Sequence, residues 1–231
     1  MLEATIFRTA PALRLGSYDC FATIEDVRVG GRLLAPAPAP GRGALPVPRA
    51  AFARGGERVG HRLPADAVVV NESTSTMAQQ IEWLPTTRTG SFFATASGGI
   101  GWGAPNAVGV ALADRERGVT RPVVGLIGDG SFQYSVQSLW TAAQHRLPIV
   151  YVVMRNQEYS ILKSFAVLEE TPGVPGLDLP GLDIAGVARG FGCRAVDVDT
   201  TEDLQREFKA ALGAGTTTVI VVATQPQKAM L

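Results

Sequence analysis

Pro122-Val123-Val124-Gly125-Leu126-Ile127-Gly128-Asp129-Gly130-Ser131 is an uncharged, branched run that ends abruptly on an acidic turn. Short runs of this kind, rich in valine and isoleucine, are expected of strands buried on both faces of a parallel sheet. Asp129 is therefore placed at a strand's carboxyl end, the edge at which open α/β sheets bind ligands. Gly130 lets the backbone come close to a phosphate, and Ser131 is placed to cap the helix that follows. The next apolar run, Ile149-Val150-Tyr151-Val152-Val153-Met154, delivers Asn156 to the same edge. Between them Phe132 to Gln144 reads as one crossover helix, which a parallel pair requires. Alone, Gly-Asp-Gly is also an ordinary turn. Paired with Asn156, it reads as a magnesium-diphosphate site, because Mg²⁺ takes about six hard oxygen ligands and draws only one or two from protein side chains.

Outward from this centre, strands alternate with helices. Strands are expected at Ala67–Val70, near Phe92, at Arg194–Val198 and at Thr218–Ala223. Helices are expected over Thr76–Leu84, where Pro85 ends the pattern, and over Ala104–Asp114, Tyr159–Phe165, Asp183–Gly190 and Glu202–Leu212. That order predicts an α/β fold, a doubly wound parallel sheet with helices on both faces, over residues 65–231. Residues 1–64 differ in character. Val27 to Leu34 alternates about Gly30-Gly31 and suggests a hairpin, and the prolines and glycines from about 35 to 60 read as an extended linker.

Asp129, Asn156 and the text around them resemble the thiamine diphosphate (ThDP)-dependent 2-oxo acid decarboxylases, specifically the C-terminal domain of the benzoylformate decarboxylase group. The matching stretches are Asn71-Glu72-Ser73-Thr74-Ser75-Thr76, Ser97-Gly98-Gly99-Ile100-Gly101, Gly128 through Ala143, and Val174 through Asp183. This resemblance implies Mg²⁺ ligation by the side chains of Asp129 and Asn156 and by the main-chain carbonyl of Glu158. It implies cofactor contacts from Thr74, Ser75, Gly130, Ser131, Tyr134, Tyr159 and Ser160. The Gly98 carbonyl would meet the aminopyrimidine, Ile100 would wedge the two rings into a bent shape, and Phe165 would line the substrate pocket. The family usually has two adjacent asparagines where this chain has Arg155-Asn156, so the ligand position survives and a positive charge stands beside it.

Each of these residues also has a plainer reading. The Ser73–Thr76 hydroxyls suit an N-cap, Gly98 to Gly101 a glycine turn, and Tyr159 core packing. His61 and His145 have no motif around them, and His145, beside a helix end, reads as structural. Trp83, Trp102 and Trp140 read as packing residues. A nicotinamide-binding Rossmann motif is disfavoured, since Gly98-Gly99-Ile100-Gly101 follows no convincing strand in the required spacing and no acidic residue ends a second strand about 20 residues on.

Composition narrows the classes further. The chain has 231 residues, is 46% hydrophobic, and carries no formal net charge. No basic surface for nucleic acid is expected. Cys20 and Cys193 are too few for a disulfide framework or zinc cluster. No stretch approaches the roughly 20 apolar residues of a membrane span, and the first residues lack a signal-peptide order. The expectation is a cytoplasmic protein.

In the resembled family a separate pyrimidine-binding domain supplies a glutamate and the histidines that handle substrate. Nothing of that length is seen in residues 1–64. The implied function is therefore the cofactor-binding half of a 2-oxo acid decarboxylase, partnered by a pyrimidine-binding domain or subunit in an oligomer, with a small 2-oxo acid as substrate. The alternatives are an acetolactate-synthase-like carboligase subunit and a non-catalytic ThDP-binding remnant. The Val174–Asp183 match favours the decarboxylase branch.

Overall fold

The computed structural model describes residues 28–29, 32–33, 63–81, 84 and 88–224. The chain divides into a unit of Met1–Pro48 and a second of Arg49–Leu231. In the first, β1 (Arg28–Val29) pairs antiparallel with β2 (Arg32–Leu33), with Val29 opposite Arg32, in the hairpin expected around Gly30-Gly31. His61, Trp83, Cys20, the Pro85 helix stop and the linker from 35 to 60 lie outside the described residues.

The second unit runs β3 (Val68–Glu72), α1 (Met77–Ile81), β4 (Phe92–Ala94), α2 (Gly103–Glu116), β5 (Val123–Gly128), α3 (Asp129–Gln133), α4 (Ser138–Gln144), β6 (Ile149–Arg155), α5 (Ser160–Leu168), α6 (Ile184–Gly190), β7 (Arg194–Val198), α7 (Thr201–Leu212) and β8 (Thr218–Ala223). Six strands pair in the order β4-β3-β5-β6-β8-β7, every pair parallel. The strand order reverses between β3 and β5, so the crevice of a doubly wound sheet opens at the carboxyl ends of these two strands.

The strands read as they do because both faces are covered. β3 is buried at all five positions, and β5 and β6 at all but their last. On one face Val70, Ile127, Tyr151 and Val153 pack under α2 (Ala104, Ala107, Val108, Ala111), α4 (Leu139, Ala142) and α6 (Ile184, Ala185, Ala188). On the other, Val69, Val124, Leu126, Val152 and Ile220 meet Leu204, Phe208 and Ala211 of α7. These helix residues recur at three- and four-residue spacing, one apolar stripe each. Gly125 is forced by packing, since a Cβ there would lie 2.6 Å from the Tyr151 ring, whose hydroxyl donates to the Ala104 carbonyl at 2.8 Å.

Two expectations near the motif are corrected. The crossover is not one helix from Phe132: α3 begins at Asp129 itself, and Tyr134 to Gln137 form a turn before α4. Ser131 is accordingly not a cap, because it lies inside α3, whose N-cap is Gly128 with no side-chain bond. Tertiary packing overrides pattern here: Phe132 is 1% exposed, and the chain re-aims after it so that Leu139 and Ala142 also reach the core.

Candidate functional site

Parallel register fixes the centre of the site. Gly128 is opposite Met154, so Asp129 and Asn156 leave adjacent strands at one edge. The Asp129 carboxylate, 3% exposed, accepts from the Gly130 amide at 2.8 Å and from the Gln157 amide at 2.7 Å. Burial pushes its carboxyl above the usual carboxylate range, and the amides of Gln157 and Gly130 oppose this. Among the described residues no cationic side chain pairs with it, so this buried acid lacks the positive charge that such groups ordinarily need.

Asn156 follows β6 and is fixed on both sides. Its Nδ2 donates to Ser160 Oγ at 2.8 Å, and its Oδ1 accepts from the Glu158 amide at 3.2 Å. Gln157 between them has φ 62°, a left-handed conformation that side chains other than glycine adopt at a cost. The Glu158 carboxylate accepts from Ser160 Oγ and, at 2.5 Å, from Lys163 Nζ, which also reaches Asp178 at 2.5 Å. Both contacts, Asp178 first, hold the lysine's pKa up. Main-chain bonds from Tyr159 to Leu177 and from Leu179 to Gln157, each 2.8 Å, stitch the Val174–Asp183 loop to this segment. Among the described residues no donor reaches the Glu158 carbonyl.

These groups suit magnesium by donor chemistry: one carboxylate, one amide oxygen and one free carbonyl, all hard oxygens at a buried, uncompensated negative charge. Among the described residues no three His, Cys, Asp or Glu side chains cluster, so a cation here would depend on further oxygens from phosphate or water. Arg155 adds no free charge, since its guanidinium pairs with Asp197 of β7 at 2.9 Å.

Around this centre the other residues fall as follows. Ser73 to Thr76 form the turn between β3 and α1, with Thr74 and Ser75 half-buried. The turn is held by a buried network in which Asn71 Nδ2 donates to Gln80 Oε1 at 2.6 Å and the Ser73 amide to Asn71 Oδ1 at 3.0 Å. Gly130 and Ser131 are buried, and the Tyr159 ring lies over Gly130, where a Cβ would meet it at 2.4 Å. Tyr159 is half-buried rather than a core residue, and burial and the neighbouring Tyr134 raise its phenol pKa. Ser160 is buried and Tyr134 is exposed. Gly98, at φ 72°, is exposed, while Ile100 is half-buried. Phe165 is exposed on α5 with Leu162 and Leu168.

Of the residues read as structural, His145, Cys193, Trp102 and Trp140 are described. His145 follows α4, and the cation at that helix end is Arg115, which donates to the His145 carbonyl at 2.9 Å. Cys193 is buried, its thiol pushed up to about 11 by burial. Trp102 packs at the edge of the core, but Trp140 is exposed.

Glu72 was not singled out by sequence reasoning. It ends β3, is 1% exposed, and its carboxylate accepts from the amides of Gly101 and, at 2.5 Å, Gly103. Burial raises its pKa and those amides oppose the rise. The available signal was a charged residue two positions after a run of three valines that reads as a buried strand.

Residues 72–222 match the family described as thiamine pyrophosphate enzyme, C-terminal TPP binding domain. Benzoylformate decarboxylase of Pseudomonas aeruginosa is 40% identical over 212 residues, covering 88% of this chain and 38% of that protein. The crystal structure of benzoylformate decarboxylase from Polynucleobacter necessarius superposes with a TM-score of 0.74 at 39% identity, over 87% of this chain and 37% of that one. A thiamine diphosphate-dependent 4-hydroxybenzoylformate decarboxylase of Rhodococcus jostii RHA1 superposes at 0.73 with 38% identity, over 87% and 37%. The chain thus spans less than two fifths of the length of these relatives. A buried carboxylate and an amide at the switch-point edge of this sheet, in a chain matched this way over most of its length, place it in the thiamine pyrophosphate enzyme family, with residues 72–222 as the C-terminal cofactor-binding domain.

Proposed function

We propose that this chain is the ThDP- and Mg²⁺-binding half of a 2-oxo acid decarboxylase resembling benzoylformate decarboxylase, completed by a pyrimidine-binding domain from another chain or segment. One observation carries the reading: Asp129, buried without a cationic partner, stands at the end of β5 beside Asn156 at the end of β6. In this reading residues 65–231 are the diphosphate-binding domain and residues 1–64 a separate segment. Asp129, Asn156 and the Glu158 carbonyl hold the metal. Thr74, Ser75, Gly130, Ser131, Tyr134, Tyr159 and Ser160 surround the diphosphate, and Gly98 and Ile100 meet the rings.

Bound ThDP would supply a nucleophilic carbon for the 2-oxo acid carbonyl and a ring that takes up electrons as carbon dioxide leaves. The chain's own contribution is position and dryness. Asn156 is kept in place by Ser160 and the Glu158 amide. Ile100 and Phe165 offer apolar walls, which favour a step that disperses the charge of a carboxylate. The exposed apolar side chains of α5, Leu162, Phe165 and Leu168, suit cover by the completing domain or by a further copy in an oligomer. No described helix is long and apolar enough to cross a membrane. The working compartment in this reading is the cytoplasm.

The match of Val174–Asp183 to the decarboxylase branch favours that reading over an acetolactate-synthase-like carboligase. Calorimetric titration with ThDP tests the proposal. Binding should require Mg²⁺, vanish in Asp129→Ala, and tighten when a pyrimidine-binding partner is added. The chain alone should not turn over a 2-oxo acid. Metal-independent binding, or full turnover without a partner, defeats it.

A further inference from the structure

Glu72 has no place in the function just described, yet it is the most deeply buried acid of the described residues. Its two oxygens are directed to one short stretch of chain: one accepts from the Gly101 amide and the other from the Gly103 amide. That stretch carries Ile100 at its start and opens α2, whose fourteen residues present the positive end of a helix dipole to the carboxylate. Both glycines are forced by the arrangement. A Cβ on Gly103 would lie 2.5 Å from Glu72 Oε2, and Gly101 has φ 103° and no room against Tyr134, whose Cβ would be 2.8 Å away.

The same stretch is held from its other side. Ser135 Oγ donates to the Gly101 carbonyl at 2.6 Å. Ser135 lies in the turn that ends the Asp129–Gln133 helix. Gly101 is therefore gripped at its N–H by the end of β3 and at its C=O by the segment that leads away from Asp129. A loop of which Ser97 to Gly99 are exposed has, at this one residue, both peptide groups committed.

Resting on the reading above, we propose that Glu72 is a positioning residue of the cofactor site: by accepting from Gly101 and Gly103 it fixes where Gly98 and Ile100 meet the rings of ThDP, independently of how the diphosphate is held. Glu72 touches no cofactor atom itself. A carboxylate is needed because both acceptors must be oxygens. Glu72→Gln keeps the shape but turns one oxygen into a donor facing an N–H, and Glu72→Asp withdraws both oxygens by one methylene.

The test uses the full chain, isotope-labelled, with chemical-shift titrations of magnesium ThDP and, separately, magnesium with inorganic diphosphate, plus amide hydrogen exchange. Wild type is expected to prefer ThDP to diphosphate. In Glu72→Gln exchange at Gly101 or Gly103 should rise about tenfold or more while β5 and β6 stay protected, and the preference for ThDP should shrink by a similar factor with diphosphate affinity kept. Glu72→Asp should shrink it further. The positioning role is overturned if Glu72→Gln retains the preference, if both affinities fall together, or if the loop amides stay protected. Wild-type protein that binds neither ligand removes the ThDP reading and this proposal with it, which separates that failure from a retained preference.

Discussion

Replacing Gly125 by alanine puts one methyl group against the ring of Tyr151, its cross-strand neighbour on the two strands that lead to Asp129 and Asn156. The new Cβ would stand 2.6 Å from Cδ1 and 3.0 Å from Cε1 of Tyr151. Carbon atoms in contact prefer about 3.5–4.0 Å, so the ring must withdraw by about 1 Å. It has nowhere to go, since Tyr151 is 0% exposed and its hydroxyl is tied to the Ala104 carbonyl. Overpacking of this kind costs about 1–3 kcal/mol, and loss of the hydroxyl bond adds about 1 kcal/mol. Against this, alanine gains about 0.5–1 kcal/mol over glycine through a less flexible unfolded chain. The net expectation is destabilisation by about 2–3 kcal/mol, a fall of about 4–12 °C in Tm for a domain of this size. Urea denaturation of Gly125→Ala, Tyr151→Leu and the double variant forms a cycle. Because leucine leaves the space that the methyl needs, the double variant should be more stable than the sum of the two losses predicts by at least about 0.5 kcal/mol. Wild-type stability in Gly125→Ala, or strict additivity in the cycle, refutes the packing argument.

Three further outcomes are expected. The pKa of Glu72 is raised above its ordinary 4.5 by burial, so between those values the folded protein keeps a proton that the unfolded chain has lost. Stability therefore falls as pH rises through that interval. Thermal scans should show the Tm of Glu72→Gln climbing relative to wild type from about pH 4.5 upward and then levelling, whereas parallel profiles count against it. Ser160→Ala frees the Asn156 amide and one Glu158 oxygen, so calorimetry should find Mg²⁺-dependent ThDP binding weakened about tenfold with little change in Tm; equal affinity would show that Asn156 needs no such support. Asp183→Ala removes the cap that accepts from the Gly186 amide at 2.7 Å, and chemical denaturation should report a loss of about 1 kcal/mol.

The sheet was legible because its central strands are uncharged, branched runs bounded by turn residues, and β5, β6 and β8 fall where those runs lie. Asp129 and Asn156 were legible for the same reason, since strand ends in a parallel sheet share an edge. The break between α3 and α4 was not, because Tyr134-Ser135-Val136-Gln137 contains no proline or glycine and the turn is imposed by what the two helices bury. Glu72 escaped notice since its partners lie 29 and 31 residues on, a relation that local pattern does not carry. The Asn71–Gln80 network that holds the Ser73–Thr76 turn was hidden likewise, as both residues read as ordinary polar positions until folding buries them.

Gln157 is the point at which foldability and use pull apart. A left-handed backbone stands between the amide-bearing residue and the following carbonyl, and a glutamine holds it at φ 62° where a glycine would sit without strain. Its N–H, committed to Asp129, ties the two strand ends together whatever side chain it bears. For anyone recasting this scaffold, position 157 is thus a tuning point: glycine there would relax the turn and loosen the unfolded chain at once, so a gain in either direction is small and the conformation itself is what must be conserved.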